Sequence, residues 1–133
     1  MPKILRSTVP ALAVGGALVL AAVSPASADG GWWYSADRPT GAKVYFTESG
    51  DKVTVCDIDT DGYKAMVDVS AETGYWMYRL EDSYNNRRCT SKSAANGGPY
   101  DLTEGDYYLF TVCIIKTGDT RKFCSRPIRE RNL

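Results

Sequence analysis

The sequence predicts an all-β domain, an antiparallel sandwich or barrel held by two disulfides. Three observations carry that reading. Turn signals recur at short intervals, at Ser49-Gly50-Asp51, Asp59-Thr60-Asp61-Gly62, Glu72-Thr73-Gly74, Glu104-Gly105-Asp106 and Thr117-Gly118-Asp119-Thr120. Glycine there supplies positive φ, and Asp or Thr hydrogen-bonds the turn backbone. Between the turns lie short runs rich in β-branched and aromatic residues, and no useful window has apolar residues at helical spacing. Four cysteines, Cys56, Cys89, Cys113 and Cys124, lie beyond an export leader, and an even number in an exported chain reads as disulfides.

The leader comes first along the chain. Lys3 and Arg6 form a basic start, Val9 to Val23 is a weakly polar to apolar run of about fifteen residues, and Ala26-Ser27-Ala28 supplies the small residues of a cleavage site. A membrane span needs roughly twenty apolar residues, so residues 1–28 are expected to be a signal peptide. Asp29 to Leu133 is then a single secreted domain, with no second apolar segment to hold it in a membrane. About a hundred residues bury enough surface for one modest core.

The expected strands follow in order: AKVYFTE from Ala42, KVTVCDI from Lys52, YKAMVDVS from Tyr63, YWMYRLE from Tyr75, YYLFTVCIIK from Tyr107 and RKFCSRPI from Arg121. Alternation puts Ala65, Val67 and Val69 on one face and Lys64, Met66 and Asp68 on the other. Tyr107 to Lys116 is apolar on both faces, as a central strand of a two-layer fold would be. Asp82 to Thr103 carries few apolar residues and reads as an exposed loop pinned by Cys89. If Lys116 pairs with Arg121 across the Gly118-Asp119 turn, Cys113 stands opposite Cys124, at a spacing close to disulfide range. That favours Cys113–Cys124 with Cys56–Cys89 among the three connectivities open to four cysteines.

Charge and composition exclude several functions. Lys3 and Arg6 leave with the leader, so 14 of the 16 basic side chains face 16 acidic ones. Such a balance does not make a nucleic-acid binder, although Asp51 to Asp68 is acidic and Arg121 to Arg131 is basic. The chain has no histidine, which removes the usual base of a nucleophilic triad and the commonest zinc ligand. No Gly-rich phosphate loop is present. Asp57, Asp59, Asp61, Glu81 and Asp82 offer carboxylate pairs, but sixteen acids make pairs inevitable by chance. Neither an enzyme nor a cofactor is expected.

"CDIDTDGYKAMVD", Cys56 to Asp68, resembles a calcium loop. Asp57, Asp59, Asp61 and Gly62 fit the first, third, fifth and sixth positions of an EF-hand. Lys64, Ala65 and Asp68 fit the remainder badly, and the flanks read as strands. The expectation is an Asp-rich hairpin turn, with a weaker calcium site at Asp57, Asp59 and Asp61 as the alternative.

Two aromatic clusters mark the candidate partner surface: Trp32-Trp33-Tyr34, and Tyr75-Trp76-Met77-Tyr78. Alternation leaves either Trp33 or its neighbours outside, and either Trp76 or the pair Tyr75 and Tyr78. Exposed Trp and Tyr suit a protein partner or a sugar, and Arg79, Arg87 and Arg88 suit an acidic partner. An N-terminal edge strand is also open to β-augmentation.

The A-x-A leader, the four-cysteine β-domain and the VCD…DG stretch resemble small exported proteins of actinobacteria. Among those are the small adaptor subunits of the secreted antibacterial assemblies called umbrella toxins, which join a lectin-like subunit to the toxin stalk. The resemblance is one of layout across the mature chain and transfers no binding residue. It implies an immunoglobulin-like sandwich of about seven short strands and a non-enzymatic binding role. The small α-amylase inhibitors of streptomycetes are also two-disulfide sandwiches and present a Trp-Arg-Tyr turn; Trp32-Trp33-Tyr34 lacks the Arg. The secreted subtilisin inhibitors share the size and four cysteines, without a matching reactive loop. A secreted protein-binding module is therefore expected first, with an enzyme inhibitor or a carbohydrate-binding module as alternatives.

Overall fold

A computed structural model describes residues 31–83 and 88–133; the leader and Arg87 lie outside them. Eight strands run in the order β1 (Trp33–Tyr34), β2 (Ala42–Thr47), β3 (Lys52–Asp57), β4 (Lys64–Ala71), β5 (Trp76–Asp82), β6 (Thr90–Lys92), β7 (Tyr107–Ile115) and β8 (Ile128–Arg131). They form two antiparallel four-stranded sheets, ordered β1-β2-β3-β6 and β5-β4-β7-β8. The expected all-β sandwich is present, with both disulfides, Cys56–Cys89 and Cys113–Cys124.

Alternation builds the core. Ala42, Val44, Phe46, Val53 and Val55 face inward from the first sheet and meet Ala65, Val67, Val69, Phe110 and Val112 of the second. Phe46 and Phe110 close the layer with ring centroids 4.9 Å apart. Each fully buried Val or Phe contributes about 1.5–3 kcal/mol relative to exposure. One end of the sandwich is tied by polar groups: the Asp51 carboxylate accepts the Leu102 N–H at 2.7 Å, and the Asn132 amide donates to the Leu102 carbonyl at 3.1 Å.

Three expectations change. Residues 58–63 are not a hairpin tip, because β3 pairs with β2 and β6 while β4 pairs with β5 and β7. Neither strand has a free edge for the other, so the DxDxDG segment is a corner that crosses between sheets. The stretch from Asp82 to Thr103 is more than a loop. It supplies β6, two 3-10 turns at Ala94–Asn96 and Gly98–Tyr100, and buried Leu102.

The run RKFCSRPI is the third. Only Ile128, its last residue, begins a strand, and upstream a single bridge joins Ile114 to Lys122. That bridge is one residue off the register a Lys116–Arg121 pair would set. Phe123 absorbs the difference as a bulge residue in the left-handed region, at φ 49°. Beyond it the Ser125 N–H reaches the Val112 carbonyl, and Cys124 meets Cys113 with Cα atoms 4.2 Å apart. The segment from Lys116 to Pro127 thus lies at the outer side of the second sheet, where Cys124 packs on Met66, Cys113 and Ile115.

Candidate functional site

The aromatic clusters divide between core and surface. In the first, Trp33 points inward against Phe110, at 5.1 Å between centroids, while Trp32 and Tyr34 are exposed. Trp32 lies over the outer face of β2, with its ring centroid 5.4 Å from that of Tyr45 and 4.1 Å from the Lys43 ammonium. That face is an aromatic and cationic surface beside the two-residue edge strand β1.

In the second cluster simple alternation fails. Ser70 pairs with Trp76, but Val69 pairs with Tyr78, so Met77 is an extra residue in β5. The bulge sends Trp76 outward, 56% exposed, and turns Tyr78 inward, 3% exposed and edge-on to Tyr100 at 4.7 Å. Tyr78 is therefore a core residue and not part of a partner surface. Burial first, and then the nearby Asp51 charge, push its hydroxyl well above the ordinary tyrosine range. Tyr75, at the turn before β5, is the most exposed large aromatic side chain among the described residues.

Around Trp76 the outer face of the second sheet carries an ion cluster. Asp68, in the middle of β4, is 5% exposed. Arg79 of β5 grips it with both arms of the guanidinium, Nε to Oδ1 at 2.7 Å and Nη2 to Oδ2 at 2.9 Å. Arg121, delivered by the segment that Cys124 anchors, donates from Nη1 to Oδ2 at 2.8 Å. The Trp76 indole N–H points at Oδ1 from 3.4 Å. Burial raises the Asp68 carboxyl, but the Arg79 bonds and charge, with Trp76 and Arg121, outweigh it and hold the group below the usual carboxylate range. Ser70 and Thr111 add hydroxyls to the groove over this cluster, a space of about 460 Å³.

The opposite electrostatics prevail at the corner between β3 and β4. Asp57, 6% exposed, accepts the Asp59 N–H at 3.4 Å, and its own N–H is held by Asp82 Oδ2 at 2.8 Å. Burial, and then the Asp61, Asp82 and Asp59 charges, overcome that backbone bond and push its carboxyl up to about 6. Asp61 is turned onto the Tyr63 N–H at 2.8 Å, stabilising the corner as an Asx turn. A Cβ at Gly41 would meet Asp37 Oδ2 at 2.9 Å and Ile114 Cγ2 at 3.1 Å, so glycine here lets Asp37 and Ile114 approach the chain closely. Among the described residues no group of three or more His, Cys, Asp or Glu side chains is placed to hold a metal ion, which includes Asp57, Asp59 and Asp61. Arg88 is exposed and directly precedes Cys89.

The Arg121–Asp68 ion pair is only half legible in the sequence. Asp68 does leave a signal, a lone charge among Met66, Val67 and Val69 in a strand otherwise bound for the interior. Its partner across 53 residues leaves none. No family model, curated protein or solved structure matches the chain. Among the described residues no helix is long and apolar enough to cross a membrane, and the two disulfides fit an oxidising extracellular setting.

Proposed function

We propose that this chain is a secreted, non-catalytic binding module that works through protein–protein contacts, as an adaptor subunit of a larger secreted complex. The umbrella toxin adaptors are the pattern for this reading. The observation that carries it is the exposure of large aromatic side chains on both outer faces of one small sandwich. Trp32 and Tyr34 stand out on the first sheet, Tyr75 and Trp76 on the second. Aromatic side chains are enriched at interface hot spots, and a buried core has no use for rings left in water. Two such faces, back to back, suit a subunit that joins two partners. Export by residues 1–28 belongs to the same proposal.

The test is affinity capture of the tagged mature protein from the culture supernatant of its own host, at native expression, with mass spectrometry of what comes with it. A stoichiometric partner is expected, and Trp32→Ala with Tyr34→Ala should release it while the variant stays folded by circular dichroism. Recovery of the bait alone, or a partner indifferent to both aromatic faces, overturns the reading.

A further inference from the structure

The geometry points to the groove over Asp68, Trp76, Arg79 and Arg121 as a binding site for an acidic sugar, a pyranose ring bearing a carboxylate. Charge gives the sign of the ligand. One carboxylate, Asp68, faces two guanidiniums, so the ion cluster carries one surplus positive charge. Asp68 accepts from Arg79 Nε and Nη2 and from Arg121 Nη1, and each guanidinium, with five N–H donors, keeps further donors for a second acceptor. Their side chains are 33% and 48% exposed, within reach of a ligand. Guanidinium groups present planar forks that match carboxylate oxygens.

Shape and lining give the class. The Trp76 indole, 56% exposed, is a flat apolar platform at the groove wall, and Ser70 and Thr111 offer hydroxyls that donate or accept. At about 460 Å³ the space falls in the range of small-molecule sites. A peptide would want main-chain partners as well. The groove floor denies them, because Asp68 and Ser70 belong to β4 and Leu109 and Thr111 to β7, both interior strands paired on two sides over most of their length. Recognition there must run through side chains alone, which favours a ring with hydroxyls and one anionic group over an extended chain.

This goes beyond protein contact and does not rest on it, since the isolated mature protein suffices for the test. Calorimetric titration at low ionic strength would use galacturonate, glucuronate and mannuronate trisaccharides, the methyl ester of each, and a Glu-rich peptide. Saturable binding of at least one uronate trisaccharide is expected, weakened at least tenfold by esterification, which removes the charge and leaves the ring. Trp76→Ala and Arg121→Gln each change an exposed side chain and should weaken binding at least tenfold, while Trp32→Ala leaves it unchanged. No saturable heat from any uronate, equal affinity for the methyl esters, or tighter binding of the peptide overturns the inference. Retained affinity in Trp76→Ala also overturns it. None of these results bears on a protein captured through Trp32 and Tyr34, so the two readings fail separately, and success here gives the Trp76 face a sugar in place of a second protein.

Discussion

Asp57 and Asp68 are the same side chain at almost the same exposure, 6% and 5%, and they titrate in opposite directions. Asp57 closes β3 at a corner where the side chains of Asp59, Asp61 and Asp82 add further negative charge, against one backbone N–H from Asp59. Asp68 sits mid-strand under two guanidiniums. Burial raises both; what differs is whether a cation answers it. Each region also has its own disulfide. Cys56 precedes Asp57 directly, and Cys124 anchors the segment that brings Arg121 to Asp68. The sandwich therefore has one outer region organised by attraction and one held together against repulsion.

The largest effect should come from releasing the second of these. Cys56→Ser with Cys89→Ser opens a loop of 33 residues in sequence separation, which the chain-entropy account values at about 4 kcal/mol. Cys113→Ser with Cys124→Ser, at a separation of 11, should lose about 3 kcal/mol. Urea unfolding at neutral pH measures both. A larger loss at Cys113–Cys124 would show that the Asp68 region, and not loop length, decides what a disulfide is worth here.

Arg79→Ala comes next. Breaking a fully buried ion pair costs about 3–5 kcal/mol. Arg79 is a third exposed and Arg121 still pairs with Asp68, so about 2 kcal/mol is expected at pH 7. The pH dependence identifies the cause. The native Asp68 carboxyl is held below its ordinary value, so its contribution is present above that value and is lost as pH falls through the native one. The gap between wild type and Arg79→Ala should close as the pH is lowered below about 4. A gap that persists there would mean that Arg79 acts through its aliphatic stem, and not by charge.

How much of this the sequence discloses depends on the range of the interaction. Turns and alternation are local, so five of the six expected runs fold as strands, and the inward faces of Ala65, Val67 and Val69 are right. Bulges are local too, but Met77 in β5 and Phe123 before Cys124 are marked by no Gly or Asn. They follow from tertiary pairing: Phe123 returns the chain to the register that sets Cys124 opposite Cys113, while Met77 puts Trp76 and Tyr78 on opposite faces of β5. That is why Tyr78 is buried while Trp76 is not. The corner at Asp59 to Gly62 reads equally well as a hairpin, because a turn does not record whether its two strands pair with each other. The Asp68 groove needs β4, β5 and the segment after β7 together, and only its lone charge shows in the sequence.

The smallest and most diagnostic change is Asp57→Asn. In the folded chain this carboxyl titrates near 6 against an ordinary value of 3.8. Between those values the native state binds more protons than the unfolded one, so wild-type stability falls as pH rises through that window. Above it the full penalty is present, with a ceiling of about 3 kcal/mol from the shift alone. The corner is in contact with water at Asp59 and Asp61, which reduces this to about 1–2 kcal/mol. Asn keeps an oxygen for the Asp59 N–H, and its amide can donate to the neighbouring Asp61 or Asp82 carboxylates. The variant should therefore be more stable than wild type at pH 7 by about 1–2 kcal/mol, with the advantage gone near pH 3, where the wild-type carboxyl is protonated in both states. Paired urea titrations at the two pH values decide it. An equal gain at both would assign the effect to amide hydrogen bonding, and no gain at pH 7 would mean that the carboxylates at this corner are screened by solvent and do not repel.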